Sequence, residues 1–296
     1  MKKIKVDDLE WFSFRQLLSL ALFKNEPLEV NFSSFKQDCE ALYSDLAKTI
    51  SELDLGEITR KKGLIFYFPK KKEHYKISLD FDKFSSLIEV FLFLLPTLFK
   101  QKFRTILEFA GVTHSPLSYP TSFIKETFLS ILERMGLYAS LNLRRFGFYG
   151  SGGGQIEARV YPAELKKYSY SFKGEGKNIL GAKIFISKID SKLAKEAKEF
   201  LQDGLKLSEQ KIGIIEILDS DGFGNSLQVF CEADGFNYLF FREIEIYNSA
   251  GNFIYDHEQS KNVWQDLVNE CQRFQEKNII PDYLMRELTF FLSIFS

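Results

Sequence analysis

The stretch that decides the fold is Glu108–Leu137, EFAGVTHSPLSYPTSFIKETFLSILERMGL, with its continuation Arg144–Pro162, RRFGFYGSGGGQIEARVYP. An apolar strand over Arg104–Phe109 runs into a loop, Gly111–Pro120. Helical spacing then holds over Ser122–Met135 and stops at Gly136, a residue suited to end a helix. Leu137–Arg145 and Gly154–Tyr161 alternate as strands and are joined by a glycine turn.

Reading outward, the N-terminal part has the same grammar. Lys3–Val6 is a short strand, Leu9–Phe23 has helical spacing, and Leu28–Phe32 is a second strand. Phe35–Leu53 is an amphipathic helix with Leu42, Leu46, Ile50 and Leu53 on one stripe. Leu64–Phe68 is a strand closed by Pro69 and a lysine turn, with Tyr75–Leu79 expected as the second arm of that hairpin. A helix over Ser85–Leu98 leads into the deciding stretch. The predicted class is therefore α+β, with repeated β-α-β-α-β-β sandwich units over residues 1–178. A different pattern follows: strand Lys183–Ser187, helix Ser191–Leu201, and strands Lys211–Leu218, Ser226–Glu232 and Tyr238–Ile246. This reads as a small inserted α+β domain over 179–256. A helix at Asn262–Gln275 and another starting at Pro281 are expected to return to the main body over 257–296.

Composition narrows the function classes. The 296 residues carry 39 Lys+Arg against 40 Asp+Glu, a balance that argues against a non-specific nucleic-acid binder working by bulk charge. Any RNA contact must come from local patches such as Arg144-Arg145. Phenylalanine is abundant, 31 residues, which suggests a ring-packed core with rings left over for a partner surface. Cys39, Cys231 and Cys271 lack metal-ligand spacing and read as reduced thiols. The N-terminus has no apolar signal region, and the run Phe84–Phe99 contains Glu89 and is too short to span a bilayer. A cytoplasmic protein without a membrane segment is expected.

The turn Gly147-Phe148-Tyr149-Gly150-Ser151-Gly152-Gly153-Gly154 resembles the Gly-Phe-Tyr-Pro-x-Gly-Gly-Gly motif of the RNA 3′-terminal phosphate cyclase family, with Gly150 in place of the proline. The preceding strand, loop and glycine-ended helix resemble the same region of that family. Leu94-Leu95-Pro96-Thr97-Leu98 resembles a family helix, Gly222-Phe223-Gly224-Asn225-Ser226 resembles a turn of its inserted domain, and His257–Leu288 resembles its closing helices. The resemblance implies a third, incomplete repeat at the C-terminal end. It also implies chemistry: ATP and Mg²⁺, a histidine that takes up AMP, and closure of an RNA 2′,3′-cyclic phosphate.

Several positions depart from the family pattern. Asp8–Phe12 lacks the glycines of a Glu-Gly-Gly-Gly-Gln stretch, although Arg15 matches a family arginine. An Arg-x-x-x-Pro-Gly-Leu segment is missing between Val30 and Cys39, and Leu92 stands where the family has glutamine. None of His74, His114 and His257 aligns with the family histidine, which lies past the helix beginning at Pro281. Only His114, in the loop expected to face the cleft, is a catalytic candidate.

The residues read for RNA or phosphate binding are Arg15, Thr113, Arg145, Tyr149, Gly152, Gly153, Gly154 and Gln155. Successive glycines allow positive φ and let backbone N–H groups converge on an anion, while an arginine contacts phosphate and a ring stacks on a base. The plainer reading of the same glycines is a tight strand connection without a ligand. The expected function is a diverged, non-catalytic cyclase-like protein that binds RNA or a protein partner, with no cofactor. The alternatives are an active cyclase using ATP and Mg²⁺, with or without a partner subunit, and a structural scaffold. The Phe-rich end, Phe290–Phe295, is expected to be partly exposed and to drive self-association as a dimer or docking of a partner; the other outcome is that it folds back over the apolar face.

Overall fold

Lys62 and Gly63 both hold positive φ, +49° and +77°. Two such residues make a turn whose twist suits paired strands. They join β3 (Gly56–Lys61) to β4 (Leu64–Pro69), antiparallel from Gly56↔Pro69 to Lys61↔Leu64. This corrects the expected hairpin: Leu64–Phe68 pairs with the polar strand before it, not with Tyr75–Leu79. The polar sequence GEITRK hid β3 from a hydrophobic reading, because much of the strand is solvent-facing.

The computed structural model describes residues 2–6, 11–32, 37–164, 169–244, 256–277 and 279–295. The first unit comprises β1 (Lys2–Val6), α1 (Trp11–Lys24), β2 (Leu28–Phe32), α2 (Gln37–Glu52), β3 and β4. Its sheet runs β1-β2-β4-β3, with only β1 and β2 parallel. The second unit begins with β5 (Lys76–Asp80), then α3 (Leu87–Phe99), β6 (Thr105–Gly111), α4 over 121–134, β7 (Ala139–Arg145) and β8 (Gly154–Val160). Helix α4 contains a π-helical turn at Ile124–Phe128. This sheet runs β5-β6-β8-β7 with the same pattern of directions. The duplication is therefore exact in topology, and the strand misread as a hairpin arm is the first strand of the second copy.

Helix α3 has almost no polar side, and its residues are buried apart from Thr97. A helix apolar all round belongs inside. It packs on α1, where the Ser19 hydroxyl donates to the Phe93 carbonyl at 2.8 Å. Helices α1 and α2 of the first unit thus meet α3 of the second between the two sheets. Each sheet turns one face to that layer and the other to solvent, as the alternating burial of β5 and β8 records.

The third sheet has a different order. Strands β9 (Asn178–Ser187), β10 (Ile212–Glu216), β11 (Gly224–Ala233) and β12 (Phe236–Glu243), with helix α5 (Ser191–Leu205), form β10-β9-β11-β12. Asp234 and Gly235, φ +53° and +70°, close the β11–β12 hairpin. Alternate side chains of β12 face opposite ways. Tyr238 and Phe240 meet Phe274 of α6 (His257–Lys277), with ring centroids 5.3 and 5.2 Å apart. Phe241 meets Phe123 of α4 at 5.4 Å, and the Leu239 N–H donates to Thr127 Oγ1 at 2.8 Å. Helix α6 therefore lies on the third sheet, where Trp264 also meets Phe200 of α5, rather than on the two repeats as expected. Only α7 (Asp282–Ile294) returns to them.

The C-terminal rings are inside. Phe291, Ile294 and Phe295 are buried. Phe295 sits 5.4 Å from Phe23, and Phe291 sits 5.1 Å from Phe128. Of the end expected to be partly exposed, Phe290 and Leu292 are half-buried, while the amphipathic α7 folds back, the other outcome named above, and covers the apolar surface of α1, α3 and α4. Cys231 and Cys271 are buried free thiols. No helix among the described residues is long and apolar enough to cross a membrane.

Candidate functional site

Strands β7 and β8 are joined by Phe146–Gly153, and the backbone there passes too close for side chains. A Cβ on Gly147 would lie 2.3 Å from Gly154 N and 2.4 Å from Gly111 O. Gly150, Gly152 and Gly153 hold φ of +86°, +67° and +72°, a region that favours glycine. The protein itself engages N–H groups of the turn: Gly150 donates to the Lys83 carbonyl, and Ser151 and Gly152 to the Phe148 carbonyl. Arg145 Nε donates to the Asp219 carbonyl at 2.8 Å, Nη1 to the Gly153 carbonyl at 2.8 Å, and Nη1 and Nη2 grip Asp221 bidentately at 2.9 and 2.7 Å. The arginine holds the Asp221 carboxyl below its ordinary range, mainly through these hydrogen bonds. A Cβ on Gly222 would collide with Ser151, and one on Gly224 with the Phe148 ring. The two glycine turns, 150–154 and 222–224, are therefore interlocked, and Arg145 latches the second repeat to the third sheet.

Thr113 and His114 serve the same turn. The Thr113 hydroxyl accepts from the Gly147 N–H at 3.0 Å and donates to the Gly147 carbonyl at 3.2 Å. His114 Nδ1 lies 2.9 Å from that hydroxyl, and its ring stacks on Phe146 at 4.8 Å. His114 is 2% exposed, and burial lowers its pKa to about 3. The expectation that it faces the cleft is corrected: it is a neutral core residue. Tyr149 packs edge-on against Phe84, ring centroids 5.3 Å apart, and Gln155 is exposed on β8. His74 bonds the Leu53 carbonyl through Nε2 at 2.9 Å, and His257 lies 3.5 Å from Glu196 on the surface.

Arg15 has different surroundings. It is 0% exposed between two carboxylates: Nε donates to Glu89 of α3 at 2.8 Å, and Nη2 donates to Glu287 of α7. Burial alone would lower the arginine pKa, but Glu287 and Glu89 outweigh it and hold it raised. Glu89 is pushed up to about 7 by burial, against the pull of Arg15. The Ser118 hydroxyl donates to Glu89 at 2.7 Å, and Ser86 donates to Ser118 at 2.7 Å. Tyr119 donates to Glu287 at 3.0 Å. This polar chain reaches a cleft bordered by Asp45, Phe84, Ser86, Glu89, Ser115 and Leu117. Asp45, too, is pushed up to about 7 by burial.

Thr113, His114, Arg145, Tyr149 and Gly152–Gln155 thus lie in or beside one turn, and Arg15 lies in the buried cluster instead. The sequence reading missed Glu89, Ser118 and Glu287. The available signal was Glu89, the one charge in a run of apolar residues. The expected differences at Asp8–Glu10 and Ser33–Lys36 lie outside the described residues.

A family model described as RNA 3′-terminal phosphate cyclase matches residues 14–231. Curated proteins of that name are similar over part of the chain. The Pseudomonas aeruginosa UCBPP-PA14 protein is 29% identical over 141 residues, 47% of this chain and 41% of its own. The Pyrococcus abyssi protein is 29% identical over 177 residues, covering 57% and 50%. The Koribacter versatilis protein is 31% identical over 144 residues, covering 48% and 38%. The chain thus spans half or less of the relatives it matches. With the duplicated sheets, the glycine turn and a match over most of its length, this chain belongs to the RNA 3′-terminal phosphate cyclase family.

Proposed function

We propose that this chain is a binding member of the family, one that holds RNA and does not by itself carry out ATP-dependent adenylyl transfer. The observation that carries the reading is Arg15, an arginine that the resemblance matches to one of the family, held between two carboxylates inside the core. Arg145 is likewise engaged by Asp221, and His114 is neutral and enclosed. Adenylyl transfer needs a nucleophile and free donors around phosphates. The described residues do not fit a nucleoside triphosphate and its metal as they stand. A triphosphate at Arg15 would meet Glu89 and Glu287, and no group of three His, Cys, Asp or Glu side chains among the described residues is arranged to hold a metal ion. RNA as ligand is carried over from the name of the relatives. The free thiols of Cys231 and Cys271 support a reducing, cytoplasmic setting.

The test is incubation with labelled ATP, Mg²⁺ and an RNA ending in a 3′-phosphate, scoring protein-linked AMP and cyclic phosphate. Neither product above a denatured-protein control, with retention of the RNA, is the expected result. Either product would overturn the non-catalytic reading.

One observation favours the second reading, an active cyclase using ATP and Mg²⁺. Glu89 borders the cleft, titrates near neutrality and touches a serine hydroxyl, which suits proton transfer. Under that reading Glu89→Gln removes product formation while RNA binding persists.

A further inference from the structure

The second sheet has an outward face that the glycine turn and the Arg15 cluster do not use. Its strands place their outward residues in rows. At the end where β7 starts and β8 finishes, the Tyr161 N–H donates to the Tyr138 carbonyl at 3.0 Å, so these two tyrosines are neighbours across the strands. Both follow the outward parity of their strands, and they are 52% and 40% exposed. Arg104, which precedes β6, extends the same row and is exposed. The next row carries Lys76, Arg159 and Ser140, set by the pairings Lys76↔Ile106, Ile106↔Arg159 and Ser140↔Arg159. These two rows hold three cations and no carboxylate. The carboxylates Glu108 and Glu157 stand in the third row and Asp80 in the fourth, and Glu108 pairs with Lys76 at 2.8 Å. Glu157 is shared by Arg144 at 2.5 Å and Arg159 at 2.9 Å, so one acid answers two guanidinium groups. In a chain with net charge −1, this is a local cationic surface beside exposed rings.

We propose that this face, centred on Tyr138 and Tyr161, is a docking surface for single-stranded RNA. Unpaired bases stack on aromatic rings without needing a particular sequence, and the sheet sets these two tyrosines on adjacent strands, whose backbones run about 4.8 Å apart. Phosphates between the bases meet Arg104, Arg159 and Lys76. The exposed ion pairs there are weak and yield to phosphate at little cost. Duplex RNA hides its base faces and is excluded by the same geometry. The proposal rests on the RNA-binding reading above and names the surface that reading lacks, since Arg145 is engaged elsewhere.

The experiment measures fluorescence polarisation of a short 5′-labelled single-stranded oligouridine with the full chain, at low and physiological salt. Tyr138→Ala and Tyr161→Ala should each weaken binding about tenfold or more, while Tyr138→Phe and Tyr161→Phe keep it within about twofold. Arg104→Ala and Arg159→Ala should each reduce the salt slope by roughly 1. Exposed positions make these variants safe for folding, and circular dichroism checks it. If the chain binds and the alanine variants bind equally well, the face is wrong and the RNA-binding reading stands; loss on Arg145→Ala instead would return the site to the glycine turn. If the unaltered chain binds no RNA, both readings fall. Equal affinity for a duplex would overturn the stacking geometry.

Discussion

Replacing Arg15 with methionine tests the buried cluster most directly. The guanidinium is fully enclosed, and it is the only cation bonded to Glu89 and Glu287 among the described residues. Without it, two carboxyls face each other in the core with only Ser118, Tyr119 and Gln16 as polar company. Removing one partner of a buried ion pair typically costs about 3–5 kcal/mol. For a chain of this size that lowers the melting temperature by on the order of 10 °C.

The loss carries a pH signature. Glu89 has its folded pKa raised from 4.5 to about 7. A raised carboxyl gives its full stability below pH 4.5, and that stability falls as pH rises through the folded pKa, by ~1.4 kcal/mol per pH unit across the window. Arg15→Met removes the attraction that holds Glu89 down, so the fall extends further toward alkaline pH. The variant should therefore lose more at pH 8 than at pH 5. Adding Glu89→Gln and Glu287→Gln should return much of the stability, because no uncompensated charge remains. Urea unfolding followed by tryptophan fluorescence and circular dichroism reads all three, with coincident curves as the check on cooperativity. A loss below about 1 kcal/mol, or the same loss at both pH values, would refute the cluster as a buried charge centre.

Gly153→Ala should destabilise by more than about 1 kcal/mol in urea titration, since its φ is +72° and a Cβ would meet Asp221 Oδ2 at 2.2 Å. Arg145→Ala, Asp221→Ala and the double variant should each make the junction between the second repeat and third sheet more open to limited proteolysis, with the double no worse than either single; additive cleavage would mean there is no latch. His114→Phe should flatten the acid limb of stability. His114 is depressed to about 3, so its contribution is present above pH 6.5 and is lost as pH falls toward 3, opposite in sign to Glu89 and Asp45. Phe295→Ala should cost about 3–5 kcal/mol by emptying its place between Phe23, Phe99 and Phe291, and sedimentation should show an unchanged association state.

The duplicated topology was legible because its strands and helices keep their own periods: α3 reads as core from its unbroken apolar run, and β8 alternates without exception between Gly154 and Val160. What failed was local. Strand β3 carries mostly polar residues, so the decisive mark was the Lys62-Gly63 turn rather than any hydrophobic pattern. Helix α6 was assigned to the wrong body because a hydrophobic stripe states that a helix is half-buried and not against what; the partner is set by Phe274 and Trp264 meeting rings far away in sequence. Glu287 had no signal of its own, since an acid on an amphipathic helix reads as solvated until α7 is docked on Arg15. The Phe-rich end was read as partly exposed for the same reason.

The glycine turn shows why a motif can mark a fold without marking a function. Each of its requirements is met by the protein's own backbone or side chains. Gly147 and Gly154 let two strand ends touch beside Gly111, Gly153 lies against Asp221, and Gly224 admits the Phe148 ring. Those contacts alone demand glycine at these positions, whether or not a phosphate ever binds there. Arg145, the residue that most suggested an anion, is accounted for by Asp221 and two carbonyls. The buried triad behaves in the opposite way. Nothing in the packing of α1, α3 and α7 requires two acids and an arginine rather than three apolar side chains of similar volume, and such a replacement is often stabilising. The costly residues are therefore Arg15, Glu89 and Glu287, joined through Ser118 and Ser86 to an open cleft.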